Sequence, residues 1–254
     1  MKAEGKRKLA SSREALWSAI TAWLRQLESY PGWKEWKRSQ LGYTLLHDDD
    51  FFQETHTRLG DFEFPKETEK QHDLLMRYFA ILDTALALAE CEFYFRRYPF
   101  RGLPVSRHNH IKNVCEMYFG RFYEFKERLK LFFKALKAAC PEHRIEAGKL
   151  IKIFEKEFEH ELRERNAVHH RERFEDVAIK KLFLTHSMVD GEDGVLWRRE
   201  HDAAYRRFTR EWVQRVKRRS RRIEEYVEAI AKVTLDICPF LALPAEAPTS
   251  APPR

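Results

Sequence analysis

An arginine and two histidines stand close together near the middle of the chain, in the stretch Arg165-Asn166-Ala167-Val168-His169-His170. Histidine moves a proton near neutral pH, and arginine holds a phosphate through paired hydrogen bonds. Together they can cleave RNA without a metal, because an imidazole can take the 2′-hydroxyl proton while a guanidinium stabilises the charge that develops at phosphorus. The alternative is that the hexapeptide is only the solvated end of a charged helix.

The spacing of these residues limits how they can form a site. A helix turns about 100° per residue, so Arg165 and His170 lie about 140° apart around the axis of a straight helix. Arg165 and His169, four residues apart, share a face. A site made of Arg165 and His170 therefore requires that the helix ends or bends between them, or that a second chain completes it.

The hexapeptide resembles the R-x4–6-H motif of the HEPN superfamily (higher eukaryotes and prokaryotes nucleotide-binding), in the form Arg-Asn-x-x-x-His. HEPN proteins are α-helical bundles that carry this motif near the end of a long helix, after amphipathic helices rich in Tyr and Phe. Residues 66–183 have that arrangement. The resemblance implies a metal-independent endoribonuclease, working as a homodimer without a cofactor and leaving a 2′,3′-cyclic phosphate.

The resemblance also implies a role for each residue of the motif. Arg165 would bind and polarise the scissile phosphate, His170 would act as general base or acid, and Asn166 would orient groups by hydrogen bonding. His169 lies one residue off the spacing and could substitute for His170. The implied biological setting is stress or phage defence, or a toxin with an antitoxin as its protein partner. Many relatives only bind nucleic acid or partners, so a non-catalytic HEPN-like binding protein is the alternative.

A basic stripe lies further along the chain. Residues 206–222 contain nine basic side chains and one acid, a net charge of +8, whereas the whole chain carries +7. Such a stripe predicts binding to a polyanion such as RNA, and its alternative is a solvated helix face. Tyr205 and Trp212 interleave with it and could stack bases or lie in the core. The basic residues are Arg206, Arg207, Arg210, Arg215, Lys217, Arg218, Arg219, Arg221 and Arg222.

Composition bounds the class of protein. The length of 254 residues allows one large helical domain or two small ones. The charged fraction of 34%, without an apolar run of spanning length, argues against a membrane protein, and residues 1–12 have no apolar stretch typical of a secretory signal. The four cysteines are far apart and none forms Cys-x-x-Cys, which is typical of a reduced cytoplasmic protein.

Helical periodicity dominates the chain and no period-2 strand pattern is visible, so the predicted fold is an all-α, up-and-down, HEPN-like helical bundle. Residues 1–64 are predicted to form one helix and a long irregular loop, with room for one short helix, packed on the bundle. Residues 65–238 are predicted to form the bundle, and 239–254 a disordered Pro/Ala-rich tail. The helices of the bundle are predicted at about 65–98, 108–139, 145–170, 173–186 and 196–237.

Two Glu-x-x-His pairs offer a different chemistry, because this spacing occurs in di-iron helical bundles. Such a site also needs carboxylates from two further helices, at a depth that the sequence does not fix. The His108-Asn109-His110 stretch could bind a metal or cap a helix. No His-Glu-x-x-His, Gly-rich phosphate loop or serine nucleophile elbow is present, and we predict no metal site. The di-iron candidates are Glu69 with His72, Glu157 with His160, and the carboxylates Glu90 and Glu116.

Overall fold

A computed structural model describes residues 11–46, 62–170, 173–189, 191 and 193–242. These residues form eight α-helices and one short 3-10 helix and contain no β-strand, which confirms the predicted all-α helical bundle. The helices are α1 (Ser12–Leu27), α2 (Trp33–Leu46), α3 (Lys66–Arg96), α4 (Arg107–Ala139), α5 (Ala147–Glu157), α6 (Glu159–His170), α7 (Val177–Ser187) and α8 (Gly194–Ile237).

The described residues form two compact units. Unit 1 holds α1, α2 and one end each of α3, α4 and α8, whereas unit 2 holds the longer parts of those three helices together with α5, α6 and α7. Unit 1 consists of the described residues within 11–75, 138–143 and 228–242, and unit 2 of those within 76–137 and 144–227.

Local sequence explains the start of α1 and the packing of its inner face. The Ser11 hydroxyl accepts from the backbone N–H of Glu14 (3.3 Å), and the Glu14 carboxylate accepts from the backbone N–H of Ser11 (3.0 Å), which is a complete capping box. Leu16, Ile20 and Trp23 then follow at helical spacing and are buried. The start and the buried face of this helix are therefore explained by its local sequence.

Residues 33–46 form the 14-residue helix α2, although the sequence predicts a mostly irregular connection over 33–64. The turn before it uses Gly32 at φ +79°, a conformation that favours glycine. Trp33 and Trp36 lie one helical turn apart and stack at 5.3 Å between ring centroids, and Trp33 is buried. These two tryptophans pack against each other and stabilise the helix, whereas the many charged residues of the segment give no clear helical pattern. Residues 47–61 of the predicted loop lie outside the described residues.

The first residues of the predicted tail are ordered in unit 1. Pro239–Leu241 form the 3-10 helix, with Leu241 buried and the Phe240 ring 6.1 Å from that of Trp23. This differs from a disordered tail that begins at residue 239, because Leu241 is buried in the core and the half-buried Phe240 packs against Trp23. Residues 243–254 lie outside the described part of the chain.

An aromatic core fills unit 2. An apolar stripe runs along α4, a helix that the sequence predicts at about 108–139, and it is buried throughout, from Ile111 to Phe133. Its central rings meet those of the other helices: Phe122 lies 5.0 Å from Phe158, and Phe119 lies 5.7 Å from Trp212 of α8. These aromatics are core residues, and they fix α6 and α8 against α4.

The predicted single helix over 145–170 is divided into α5 and α6 at Phe158, which adopts φ −109° and ψ 26°. Phe158 is fully buried between the rings of Phe122 and Phe154. The sequence gives no warning of this break, because charged and apolar residues continue through it at helical spacing. After it, α6 buries the carboxylate of Glu161 beside Leu162.

Candidate functional site

Arg165 lies in the second half of α6, half-buried against the ring of Tyr123 from α4. Its guanidinium carbon is 3.7 Å from the centroid of that ring, a close cation–π contact. Its Nη1 donates to Oδ1 of the exposed Asn166 (3.2 Å). No carboxylate among the described side chains lies within ion-pair distance of Arg165. The guanidinium is therefore held in place while its charge stays available to an anion.

The two histidines of the motif continue the same helix. The backbone of α6 remains helical up to His170, so the helix does not end between position 165 and position 170. The side chains of His169 and His170 lie outside the described residues, and their convergence on Arg165 stays a prediction. On this backbone, position 169 follows Arg165 by four residues and position 170 by five, which puts only position 169 on the same face.

The basic stripe divides into two groups on α8. In the first group, acids of neighbouring elements partly neutralise Arg215, Lys217, Arg219 and Arg222. The second group is exposed, and none of its members lies within ion-pair distance of an acid among the described side chains. It consists of Arg206, Arg207, Arg210, Arg218 and Arg221. The charge pattern predicted the stripe without distinguishing these groups.

Glu161 is the centre of the first group. Its side chain is 0% exposed, and it accepts hydrogen bonds from Arg215 Nη2 (3.0 Å), Arg219 Nε (3.0 Å) and Arg219 Nη2 (3.1 Å). The two bonds from Arg219 form a bidentate pair, the strongest arrangement for these groups. The Arg215 guanidinium also lies 4.7 Å from the Trp212 ring centroid. Glu161 thus holds both guanidinium groups from the buried side of this surface.

His160 and Arg222 flank this centre. Arg215 Nη2 lies 3.0 Å from His160 Nδ1, and because a guanidinium only donates, Nδ1 accepts and the ring proton sits on Nε2. Arg222 Nε donates to Glu157 (2.5 Å), which also accepts from the Tyr226 hydroxyl (2.8 Å). The hydrogen bond from Arg222 lowers the pKa of Glu157, so this carboxylate stays ionised.

A surface depression of about 550 Å³ lies over this group, between α6 and α8. We call it the arginine pocket; it is lined by His160, Glu161, Arg215, Arg218, Arg219 and Arg222. Its solvent-facing side chains are hydrogen-bond donors, since the one acid in the lining is fully buried. Such a lining suits an anion rich in acceptor oxygens.

Trp212 is buried and stacked on Phe95 at 5.0 Å between centroids, so it belongs to the core and not to a base-stacking surface. Tyr205 is half-buried beneath Arg107, whose guanidinium carbon lies 5.1 Å from the ring centroid. The structure therefore resolves the sequence alternative for Trp212 in favour of packing.

A second polar group, which the sequence does not indicate, surrounds His201. This imidazole is 5% exposed, its Nδ1 lies 3.1 Å from the Thr185 hydroxyl, and its ring lies 5.5 Å from that of His186. Burial, and next the nearby Arg107, lower its pKa. The hydroxyl of Thr185 donates to the Lys181 carbonyl (2.8 Å), so it accepts from His201. No spacing rule joins these residues, because three helices bring them together.

The di-iron alternative finds no support in the contacts of its candidates. Glu157 and His160 pair with arginines, as described above. Glu116 accepts hydrogen bonds from the Arg173 side chain and from the backbone N–H of Phe174. Among the described residues, no three His, Cys, Asp or Glu side chains are arranged to hold a metal ion.

Comparisons of the chain with models of protein families, with curated proteins and with solved structures gave no match. Within the described residues, none of the helices combines the length and the apolar character needed to cross a lipid bilayer. The assignment of function therefore depends on the geometry of the motif and of the arginine pocket.

Proposed function

We propose that this chain is a HEPN-like, metal-independent endoribonuclease that acts on RNA through a composite Arg/His site at a homodimer interface. Arg165 binds the scissile phosphate, His170 or His169 moves the protons, and Asn166 orients the reacting groups. The observation that carries the proposal is the state of Arg165: it is stacked on Tyr123 at 3.7 Å and has no carboxylate partner among the described side chains.

The chemistry requires only protein side chains. The base takes the proton from the 2′-hydroxyl, and the 2′-oxygen forms a bond to phosphorus as the bond from phosphorus to the 5′-oxygen breaks. The leaving 5′-oxygen receives a proton from the acid, and the products are a 2′,3′-cyclic phosphate and a 5′-hydroxyl. Arg165 stabilises the extra negative charge on the non-bridging oxygens in the transition state.

Helix geometry supports the homodimer that the family resemblance implies. Because α6 continues to His170, Arg165 and position 170 of one chain point in directions about 140° apart. Two chains related by a two-fold axis would bring the arginine of one chain to the histidine of the other. The exposed arginines of α8 supply the positive surface along which RNA approaches.

The test is cleavage of labelled RNA by the purified protein in EDTA. We expect cleavage by the wild type and a loss of about a hundredfold or more for Arg165→Ala and for His170→Ala. Arg163→Ala is the matched control, since Arg163 is an exposed arginine on the same helix and should retain activity. Cleavage that survives Arg165→Ala together with His169→Ala and His170→Ala would discard the proposal.

Mixing subunits tests the interface. If each site takes groups from both chains, a mixture of the inactive Arg165→Ala and His170→Ala proteins forms heterodimers that keep one Arg165 and one His170. Activity should then return to a fraction of the wild-type rate. Two active single-residue variants, or a mixture that remains inactive while heterodimers are present, would contradict a shared site.

A second candidate function is RNA binding without catalysis, and the five exposed arginines of α8 favour it independently of the motif. Neutralising several phosphates releases counterions, so affinity should fall steeply as salt is raised. Salt-insensitive binding, or no binding at all, would point to a protein partner, such as the antitoxin that the family resemblance implies.

A further inference from the structure

We propose that the arginine pocket binds the terminal phosphate monoester of an RNA strand. This inference rests on the proposed function, because it treats RNA as the ligand, and it specifies which part of the RNA the pocket holds. The pocket is a site distinct from the Arg165 motif: its six lining residues do not include Arg165 or Asn166.

The first argument is the supply of free donors. Arg218 is exposed and has no carboxylate within ion-pair distance among the described side chains, so no acid engages its donors. The ring proton of His160 sits on Nε2, which has no acceptor among the described residues. Arg219 uses Nε and Nη2 on Glu161 and keeps Nη1. Donors from α6 and α8 therefore surround one depression.

The second argument is that the pocket is preorganised. An anion binds more tightly when the donors of its site are already in place, because binding then does not reduce the conformational entropy of long side chains. Arg215 is fixed by Glu161 and by stacking on Trp212, and Arg219 by its bidentate pair with Glu161. Glu161 does not contact the ligand, because it is fully buried and both its oxygens already accept hydrogen bonds, and the two arginines that it holds offset its charge.

The third argument decides between the two kinds of phosphate in RNA. A monoester presents three strong acceptor oxygens and a charge of about −1.5 to −2, whereas a diester within the strand presents two such oxygens and a single charge. Donors without a partner among the described residues remain on Arg218, on Nη1 of Arg219 and on Nε2 of His160, so three groups face the ligand. Donors arriving from two helices match the group with more oxygens and more charge.

The experiment compares two RNA oligonucleotides of one sequence, one with a 5′-phosphate and one with a 5′-hydroxyl, by fluorescence anisotropy with the full-length protein. A third oligonucleotide carries the phosphate at its 3′ end. Binding is measured with the Arg165→Ala protein, so that cleavage does not change the ligands. We expect at least one phosphorylated RNA to bind about tenfold more tightly than the hydroxyl form.

The Arg218→Gln substitution should remove this preference. Arg218 is exposed and has no carboxylate within ion-pair distance among the described side chains, so its loss should leave the unfolding temperature unchanged. A second variant, Arg218→Lys, retains the positive charge and should keep part of the preference. Arg199→Gln, an exposed arginine of the same helix outside the pocket and the stripe, is the matched control and should keep the full preference.

Three outcomes would overturn the inference. They are equal binding of all three RNAs, a preference that survives Arg218→Gln, and competition by a free nucleoside monophosphate as strong as that by the phosphorylated RNA. The last result would make a free nucleotide the ligand. None of these outcomes bears on the proposal that the protein cleaves RNA through Arg165, because cleavage is measured separately on RNA with a 5′-hydroxyl. Conversely, a protein that shows the terminal-phosphate preference but never cleaves RNA would refute the nuclease and not the pocket.

Discussion

Replacing Glu161 by glutamine keeps the shape of the side chain but removes the charge that Arg215 and Arg219 share. Removing one member of a buried ion pair costs about 3–5 kcal/mol, because the remaining charge is left without a partner. Here the two arginine side chains keep 26% and 31% of their surface in water, so solvent compensates part of the loss. We therefore expect Glu161→Gln to lower the free energy of unfolding by about 2–3 kcal/mol.

The assay is thermal and urea unfolding followed by far-ultraviolet circular dichroism. For a protein of this size, 1 kcal/mol corresponds to about 2–4 °C in Tm, so the expected shift is about 4–12 °C downward. Glu157→Gln is the matched control. Its carboxylate is 22% exposed and its partner Arg222 is 48% exposed, so its effect should be clearly smaller. A Glu161→Gln protein as stable as the wild type, or more stable than Glu157→Gln, would refute the account of Glu161 as the anchor of both arginines.

Three further predictions concern other parts of the described chain. Tyr123→Leu removes the ring that holds Arg165 and should weaken RNA binding about threefold to thirtyfold in anisotropy titrations; unchanged affinity would show that stacking does not position the guanidinium. Burial and Arg107 lower the pKa of His201, so the unfolded state binds more protons than the folded state as the pH drops below the ordinary value of 6.5, and the free energy of unfolding should fall over that range. In urea unfolding, the difference in this free energy between about pH 7.5 and about pH 5.5 should be smaller for His201→Gln than for the wild type. Burial raises the pKa of the Cys91 thiol to about 11, so a thiol reagent at neutral pH should modify it only as fast as the protein unfolds; rapid labelling of the native protein would contradict this.

The long helices could be predicted from the sequence because their signals are local. In α4 the apolar stripe recurs at helical spacing over the whole element, and Cys140-Pro141 stops it. The helix α2 was harder to predict, because its two tryptophans supply the packing within a segment that is otherwise polar. The break at Phe158 could not be predicted, because it depends on where the rings of α4 leave room for that side chain.

The candidate site was only partly accessible from sequence for the same reason. The hexapeptide and the basic stripe are contiguous, so residue type and spacing find them. The pairing of Arg215 and Arg219 with Glu161 joins residues more than fifty positions apart, and charge counting cannot distinguish these arginines from Arg218. The group around His201 was missed because no two of its members stand at a recognisable spacing.

The shared carboxylate of Glu161 has a consequence for how this surface can diverge among relatives with the same fold. A chain that loses the acid at this position keeps two cations against an aromatic core, so it gains from replacing both of them by apolar residues. The residues at positions 161, 215 and 219 should therefore covary as one unit. The residue at position 218 does not pair with Glu161, so its identity should depend only on the ligand that the pocket binds.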